Sequence, residues 1–404
     1  MRMSPILSAL LRHKVAAGLI AAQIALTLAI IANALYIVID RSARMARPSG
    51  VVEQDLFVLG LTPTGSPEQR RAELLADLDV VRKVPGVVGA YLTNSMPLSG
   101  GGWSTSVSLR TEDEGNRDRG TALYMADETT LDTLGLKLLA GRNFEPGEVE
   151  WQQADTPLKP KSIIITAALA KRLFGEEPAV GQLVGISGER GDVSSRVVGV
   201  VGQLVTPWSG WGQFEQSTLV PLRTDGGPRV AVRAAPGRAA EVVKAVEEAL
   251  WARNPQRVVD GLRTMPEMRA EQYRSDRALV VIMTAITFCL LAVTALGIVG
   301  QASFWVTQRT RQIGVRRALG ATRGQILRYF QAENALIAGV GIIAGVSLAY
   351  VVNYWMAQEF GAQRLPWFYL PIGAVVVLLL GQAAVYAPAR RAAAVPPAVA
   401  TRSA

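Results

Sequence analysis

The sequence predicts an α-helical membrane protein with four transmembrane helices and a large extracytoplasmic α+β domain, in which two βαβ units flank a smaller β-rich insert. Three observations predict it. Half of the 404 residues are hydrophobic and only 19% are charged, whereas a soluble domain carries about a quarter charged residues. The apolar residues gather in four stretches without a single charge: Val15–Ile39, Ala278–Gln308, Asn334–Gln358 and Leu365–Ala389. The segment between the first two, residues 40–277, has ordinary globular composition and frequent turn residues.

Each stretch exceeds the roughly 20 helical residues needed to cross a hydrocarbon core of about 30 Å. The first could instead be a cleaved signal peptide, but its apolar part is about twice the usual h-region of 7–15 residues. It is taken as an uncleaved anchor. The second is longer than a bilayer requires. Its upstream flank, 265–277, lacks Gly or Pro after Pro266, so one long helix is expected to rise out of the membrane.

Orientation follows from short-loop arginines. Arg309, Arg311, Arg316, Arg317, Arg323 and Arg328 lie between the second and third stretches, with no acid before Glu333. Arg2, Arg12 and Lys14 precede the first stretch, and Arg390, Arg391 and Arg402 follow the last. Residues 40–277 balance acids and bases closely, so the net charge of +9 sits on one side. The N-terminus (1–14), the loop 309–333 and the tail (390–404) are therefore expected in the cytoplasm. Residues 40–277 are expected in the periplasm of an inner-membrane protein. Arg41, Arg44 and Arg47, just after the first stretch, oppose this locally, and the Arg-rich loop decides it. Because these basic residues flank apolar spans, nucleic acid is not expected as a partner.

Within 40–277, Val51–Leu61 reads as a strand, Ser66–Lys83 as a helix with Ser66 as N-cap and Pro67 at its first position, and Val87–Leu92 as a strand. A second unit follows the same pattern: strand Arg229–Ala234, helix Gly237–Arg253, strand Arg257–Leu262. The βαβ module thus comprises 40–102 and 223–277. The insert, 103–222, holds strands at Trp103–Arg110, Ala122–Ala126, Ser162–Ile165, Ser195–Val201 and Thr218–Leu222, with helices at Glu128–Leu134 and Ala167–Phe174. Residues 145–160 read as a loop. Trp208 and Trp211 either cover the domain's edge or form exposed contacts.

Catalytic chemistry finds little support. One Cys (Cys289) and one His (His13) exclude a disulfide framework and a Cys/His metal cluster. Any Ser-His-Asp triad would have to use His13. Glu112-Asp113-Glu114 lacks EF-hand spacing, and Asp127, Glu128 and Asp132 suit the start of a short helix. No span holds an ionisable residue for acid–base work, so an enzyme is not expected. No Gly-x-x-x-x-Gly-Lys-[Ser/Thr] loop occurs in the sequence.

The segment 309–327, RTRQIGVRRALGATRGQIL, resembles the cytoplasmic loop of FtsX/MacB-type ABC transporter permeases. Residues 133–144 (TLGLKLLAGRNF), 162–174 and 197–202 (VVGVVG) resemble the periplasmic core domain of that family, and 387–398 its ending. The resemblance covers most of the chain. It implies two outside subdomains, a stalk continuing spans one and two, and a dimer formed with a second copy or a sister permease. This sequence departs from MacB itself, which carries a fused ATPase: with no phosphate-binding loop present, a separate cytosolic ABC ATPase dimer is expected to bind ATP and Mg, this chain binding no cofactor. Export of hydrophobic or peptide-like substrates by mechanotransmission is the expected activity, with a periplasmic adaptor and outer-membrane channel as further partners. The family also contains regulators of cell-wall hydrolases or envelope signalling partners, and lipoprotein-translocating permeases.

The ATPase-coupling residues implied are Arg309, Arg311, Ile313, Gly314, Val315, Arg316, Arg317, Ala318, Leu319, Gly320 and Ala321. Ile313, Arg317 and Gly320 share helical spacing, and Gly320 with Gly324 weakens the helix beyond Leu319. The same arginines would hold the loop inside and meet anionic membrane lipid. Ala17, Ala21, Ala25 and Ala29 lie four apart on the first span, and Gly341 and Gly345 form a Gly-xxx-Gly pair in the third. Such residues let helices approach closely, either between two subunits or within one.

Overall fold

The computed structural model describes residues 14–109, 119–152, 157–186, 195–360 and 365–394. Arg2, Arg12, His13, Glu112-Asp113-Glu114, Arg364 and Arg402 lie outside them. The chain divides into two units, one of Ala46–Ser275 and one of Met1–Met45 with Asp276–Ala404.

After α1 (Lys14–Met45) come β1 (Leu56–Leu61), α2 (Pro67–Lys83), β2 (Val87–Thr93), β3 (Trp103–Leu109), β4 (Arg119–Met125), α3 (Thr130–Leu134) and β5 (Leu138–Gly141). The chain continues through β6 (Glu150–Trp151), β7 (Ser162–Thr166), α4 (Ala167–Phe174), β8 (Leu183–Ile186), β9 (Ser195–Val201), β10 (Ser217–Val220) and β11 (Leu222–Arg223). Next are β12 (Arg229–Ala234), α5 (Ala239–Arg253), β13 (Val259–Thr264) and α6 (Met265–Gln272). Last come α7 (Arg274–Gln308), α8 (Thr310–Ala318), α9 (Arg323–Phe360) and α10 (Tyr369–Ala394).

The two expected βαβ units do not stand side by side. Their strands interleave in one sheet of order β13-β1-β12-β2, every neighbouring pair antiparallel. This is the split βαβ arrangement. β1 fills the gap between β12 and β13, and β12 the gap between β1 and β2, so neither unit forms a sheet alone. Ser66 caps α2 in a capping box: its Oγ accepts from Gln69 N–H while Gln69 Oε1 accepts from Ser66 N–H at 2.9 Å. Leu74, Leu78 and Val81 of α2 and Val242, Val246 and Leu250 of α5 bury against Phe57, Leu59, Val230 and Val232. Arg257, almost wholly buried beyond the end of α5, pairs with Asp77 (2.5 Å) and Glu73 (2.6 Å) of α2, and Arg253 at the end of α5 also binds Asp77.

The insert forms a seven-stranded sheet, β5-β9-β7-β10-β4-β3-β8, and β8 also pairs with β9. The ring β9-β7-β10-β4-β3-β8 therefore closes. β9 serves two neighbours on one edge: β8 takes Ser195 and Arg196, and β5 takes Gly199–Val201. Closure removes the exposed edges that an open sheet would present. Leu169 and Leu173 of α4 bury with Val107, Ile163, Ile165, Val184 and Val197 in the core of this subdomain.

The motif at 133–144 has a local physical basis. Gly141 has φ +78°, and a Cβ there would lie 2.1 Å from the Val198 carbonyl oxygen. Beyond it Arg142 donates to both carboxylate oxygens of Glu148 at 2.8 and 2.9 Å, and Asn143 Nδ2 donates to the Glu128 carbonyl at 2.7 Å. The chain from Gly141 to Glu148 is thus pinned against β9. Asp127, fully buried, accepts from Arg82 at 3.2 Å and lies 3.6 Å from Arg223, tying the end of β4 to α2. Trp208 and Trp211 pack edge-to-face at 5.4 Å, both half-buried.

Several expected boundaries move. Residues 51–55 are not strand, because Glu53–Asp55 form a 3₁₀ turn whose Glu53 is bound by Arg269. β5, β6 and β8 were not expected; each is only two to four residues long, too short to show alternation. The expected loop 145–160 contains a 3₁₀ turn at Pro146–Glu148 and then β6. The expected unbroken helix from 265 into the second span is interrupted at Tyr273, which caps α6 outside helical geometry and is itself buried.

The other unit holds the four long apolar helices, α1, α7, α9 and α10. α9 begins at Arg323, so most of the expected loop 309–333 is helical and the third span (expected 334–358) is the latter part of a 38-residue helix. α10 starts at Tyr369 instead of 365 and continues through Pro388 to Ala394. Arg41 pairs with Asp276 at 2.8 Å and Arg44 with Asp40 at 2.9 Å. Two of the arginines that oppose the predicted orientation are therefore neutralised by nearby acids.

Ala21 and Ala25 meet Gly341 and Gly345 inside this one chain. A Cβ on Gly341 would lie 2.8 Å from the Ala21 oxygen, and one on Gly345 would lie 2.8 Å from the Ala25 oxygen. Ala29 is buried beside Ala349, and Ala17 packs against the same bundle core. Only glycine permits this approach of α1 to α9. α7 touches the bundle more sparingly, through the Thr27–Thr294 hydroxyl pair (2.8 Å), Gln23 to the Val293 carbonyl (3.3 Å), and the buried Ile298, Ala302 and Trp305.

Arg142 holds the Glu148 carboxyl down to about 2 through its two hydrogen bonds. A free glutamate titrates near about 4.3, so this group stabilises the folded domain above that value. The contribution is lost as pH falls through about 2. Glu148→Gln is expected to flatten the acid limb of a pH–stability curve in that window and to leave the slope at neutral pH unchanged, as followed by tryptophan fluorescence during denaturation.

Candidate functional site

The segment 309–322 folds as a short helix held against the bundle between α7 and α9. Leu319 N–H closes the last α-type bond to Val315 O at 3.0 Å; Gly320 (φ +97°) then donates to Arg317 O, and Ala321 to Arg316 O. This double bond pattern is a Schellman motif, which needs a residue tolerant of left-handed φ after the helix. Gly320 supplies it. The next helix starts at once: Thr322 Oγ1 accepts from Gln325 N–H, and Gln325 Oε1 accepts from Thr322 N–H, a capping box for α9.

Three anchors fix α8. Arg309 donates to both oxygens of Glu333 at 3.0 and 2.9 Å and lies 5.7 Å from the Trp305 ring centroid. The Arg309 side chain is 12% exposed and that of Glu333 only 2%. Arg317 Nη1 donates to the Ala393 carbonyl at 2.6 Å, joining α8 to the end of α10. Ile313 and Gly314 are buried beneath the helix, Ile313 in the bundle core. Arg316 stacks over Tyr329 at 4.8 Å.

The eleven expected coupling residues thus divide by direction. Ile313, Gly314, Arg309 and Arg317 face the bundle. Arg311, Val315, Arg316, Ala318, Leu319 and Gly320 face outward, and Ala321 is half-buried in the turn. Leu319 is 84% exposed and Val315 47%. With Arg311 they recur every four residues along one ridge, so an amphipathic α8 presents this ridge and keeps the Ile313 and Arg317 face for its own anchoring. Glu333 is the neighbour that local spacing does not reveal: in the sequence it is only the acid that ends a basic segment, and its pairing spans 24 positions. Among the described residues no group of His, Cys, Asp and Glu could hold a metal ion.

A family model for the MacB-like periplasmic core domain matches residues 20–249, and one for the FtsX-like permease C-terminal matches residues 284–397. The chain is a MacB/FtsX-type permease. It is 26% identical to the macrolide export ATP-binding/permease protein MacB of Pasteurella multocida over 83% of this chain and 50% of that protein. It is 31% identical to the protein of the same name from Rhodospirillum rubrum over 61% of this chain and 38% of that protein. The permease therefore spans about half or less of the length of these relatives. Among solved structures, the periplasmic region of MacB from Actinobacillus actinomycetemcomitans matches 57% of the permease and 97% of that chain at 15% identity, with a TM-score of 0.35. The core-domain match begins inside α1 and ends inside α5, and the permease match covers most of α7 through α10.

Removing Glu333 would leave Arg309 buried without its counter-charge. Glu333→Ala is expected to cost about 3–5 kcal/mol, read as a lowered melting temperature of the detergent-purified permease. A double change, Arg309→Met with Glu333→Leu, should recover most of the loss. Equal damage in the double variant would show that the pair's charge is not what matters.

Proposed function

We propose that this permease passes movement between a separate cytosolic ABC ATPase dimer and its core domain, with α8 as the contact. The observation that carries this reading is the outward ridge of Arg311, Val315 and Leu319 on a helix anchored at three points. An exposed leucine beside exposed arginines on a rigid short helix suits insertion into a cleft of a partner. The anchors would carry the push onward: Arg309–Glu333 reaches α7 and α9, and Arg317 reaches α10. ATP and Mg belong to the partner in this reading.

The relatives named above are macrolide exporters by name, which supports export of hydrophobic or peptide-like substrates by mechanotransmission. The scattered polar residues of the spans also favour this over a polar conduit: Gln23, Thr27, Asn33 and Asn353 are engaged in bonds between helices or to backbone. A periplasmic adaptor and an outer-membrane channel would complete the route. Two copies, or this permease and a sister, would associate through the exposed apolar face of α7, because the small-residue face of α1 is already occupied by α9. Both termini and α8 would lie in the cytoplasm, with the core domain in the periplasm.

Leu319→Glu is expected to abolish co-purification with the ATPase and the permease-dependent part of ATP hydrolysis, while membrane insertion and melting temperature stay unchanged. Unaltered hydrolysis would remove α8 from the mechanism. In a Cys289→Ser background, Lys244→Cys in α5 should react with an impermeant thiol reagent once the outer membrane is permeabilised. Reaction only after lysis of the inner membrane would invert the orientation.

A further inference from the structure

Beside the outward ridge of α8 lies a notch between α8 and α9, lined by Arg309, Gln312, Arg316, Tyr329 and Phe330. Its charge is uncompensated. Glu333 is the single acid between Arg309 and Glu333 in the sequence and is consumed by Arg309. Arg316 lies over the Tyr329 ring at 4.8 Å and has no ion pair among the described residues, and Gln312 is exposed next to it. A planar guanidinium held against an aromatic ring presents its remaining N–H groups in a fork that matches phosphate oxygens.

The notch is also the foot of an apolar stripe. Tyr329, Leu336, Val340 and Ile343 follow the three-and-four spacing of one face of α9. Leu336, Val340 and Ile343 are all exposed. A phosphate-matching cation at one end and a lipid-facing stripe leading away from it fit a molecule with an anionic head and apolar tails. We infer that the notch of Gln312, Arg316 and Tyr329 binds the phosphate headgroup of an anionic phospholipid of the cytoplasmic leaflet, whose chains lie along Leu336, Val340 and Ile343. This rests on the orientation proposed above, which puts α8 at that leaflet. Charge complementarity selects the occupant: an acidic protein surface would use the arginine but not the stripe, and a zwitterionic lipid, whose phosphate also matches the guanidinium, would bring its own cation beside a notch whose nearby acid, Glu333, is already taken by Arg309. Through Arg316, the lipid would stiffen the seat of the coupling helix without occupying its outward ridge.

The test reconstitutes the full-length permease in nanodiscs of equimolar phosphatidylglycerol and phosphatidylcholine, transfers it to neutral detergent, and counts retained lipids by native mass spectrometry. Phosphatidylglycerol is expected to be retained in preference to phosphatidylcholine, and Arg316→Gln to weaken that preference about fivefold. Arg328→Gln removes an exposed charge from the same helix end outside the notch and should leave retention unchanged. Equal loss in both variants would show diffuse surface charge and overturn the site, as would equal retention of the two lipids. If Arg316→Gln lowers the melting temperature, Gln312→Glu replaces it and should likewise reduce phosphatidylglycerol retention; unchanged retention would overturn the proposal. Displacement of the lipid by millimolar inorganic phosphate would assign the notch to free phosphate instead. Leu319→Glu should keep its lipid while losing the ATPase, which separates failure of this site from failure of the coupling reading.

Discussion

In hydrocarbon, apolar side chains gain nothing by leaving lipid for one another, so helices hold together where backbones approach closely or polar groups pair. The membrane unit obeys this constraint throughout. α1 and α9 touch backbone to backbone at Gly341 and Gly345, with Ala21 and Ala25 opposite. Higher up, Asn353 Oδ1 accepts the Leu365 N–H at 2.9 Å and Asn353 Nδ2 reaches Asn33 at 3.4 Å, so the same helix pair also fixes the entry to α10. Gly373 brings α10 near Leu28 of α1. These contacts make α1, α9 and α10 one packed body.

α7 stands outside that body. Its apolar face is largely exposed within the single chain, and its attachments are few: the buried Ile298, Ala302 and Trp305, Gln23 against Gly297, Thr27 with Thr294, Arg41 with Asp276, and the Arg309–Glu333 pair at its far end. A helix held by a few discrete bonds can shift between registers more readily than one interdigitated along its length. Of the α8 anchors, Arg309–Glu333 ties the end of α7 to α9 and Arg317 reaches the end of α10, which leaves the exposed Leu319 at the end of a short helix tied to both. Packing and proposed mechanism thus draw on the same small set of side chains.

The core domain solves a different problem, that of closing sheets in water. Both subdomains do so by pairing strands distant in sequence: β1 with β12 and β13 in the split sheet, and β3 with β8 and β4 with β10 in the ring. The buried ion pairs sit where these distant parts meet. Arg257 joins Asp77 and Glu73, and Asp127 joins Arg82 and Arg223.

The four apolar stretches, the capped helix at Ser66, the turn at Gly320 and the motifs at 133–144 and 309–327 are legible in the sequence because each is set by neighbours within a few residues. Helix length, N-caps and left-handed glycines are local physics. The order β13-β1-β12-β2, the closure of the ring, the seating of Gly341 and Gly345 against α1, and the partnership of Arg309 with Glu333 are not. Each depends on which groups meet across tens or hundreds of positions, and composition or spacing says only that such a partner is needed. So the sequence alone determined that α8 would be a basic, amphipathic, glycine-ended helix beside the membrane spans. Only the tertiary structure decided which of its faces is anchored and which is offered, because burial is a property of the assembled bundle.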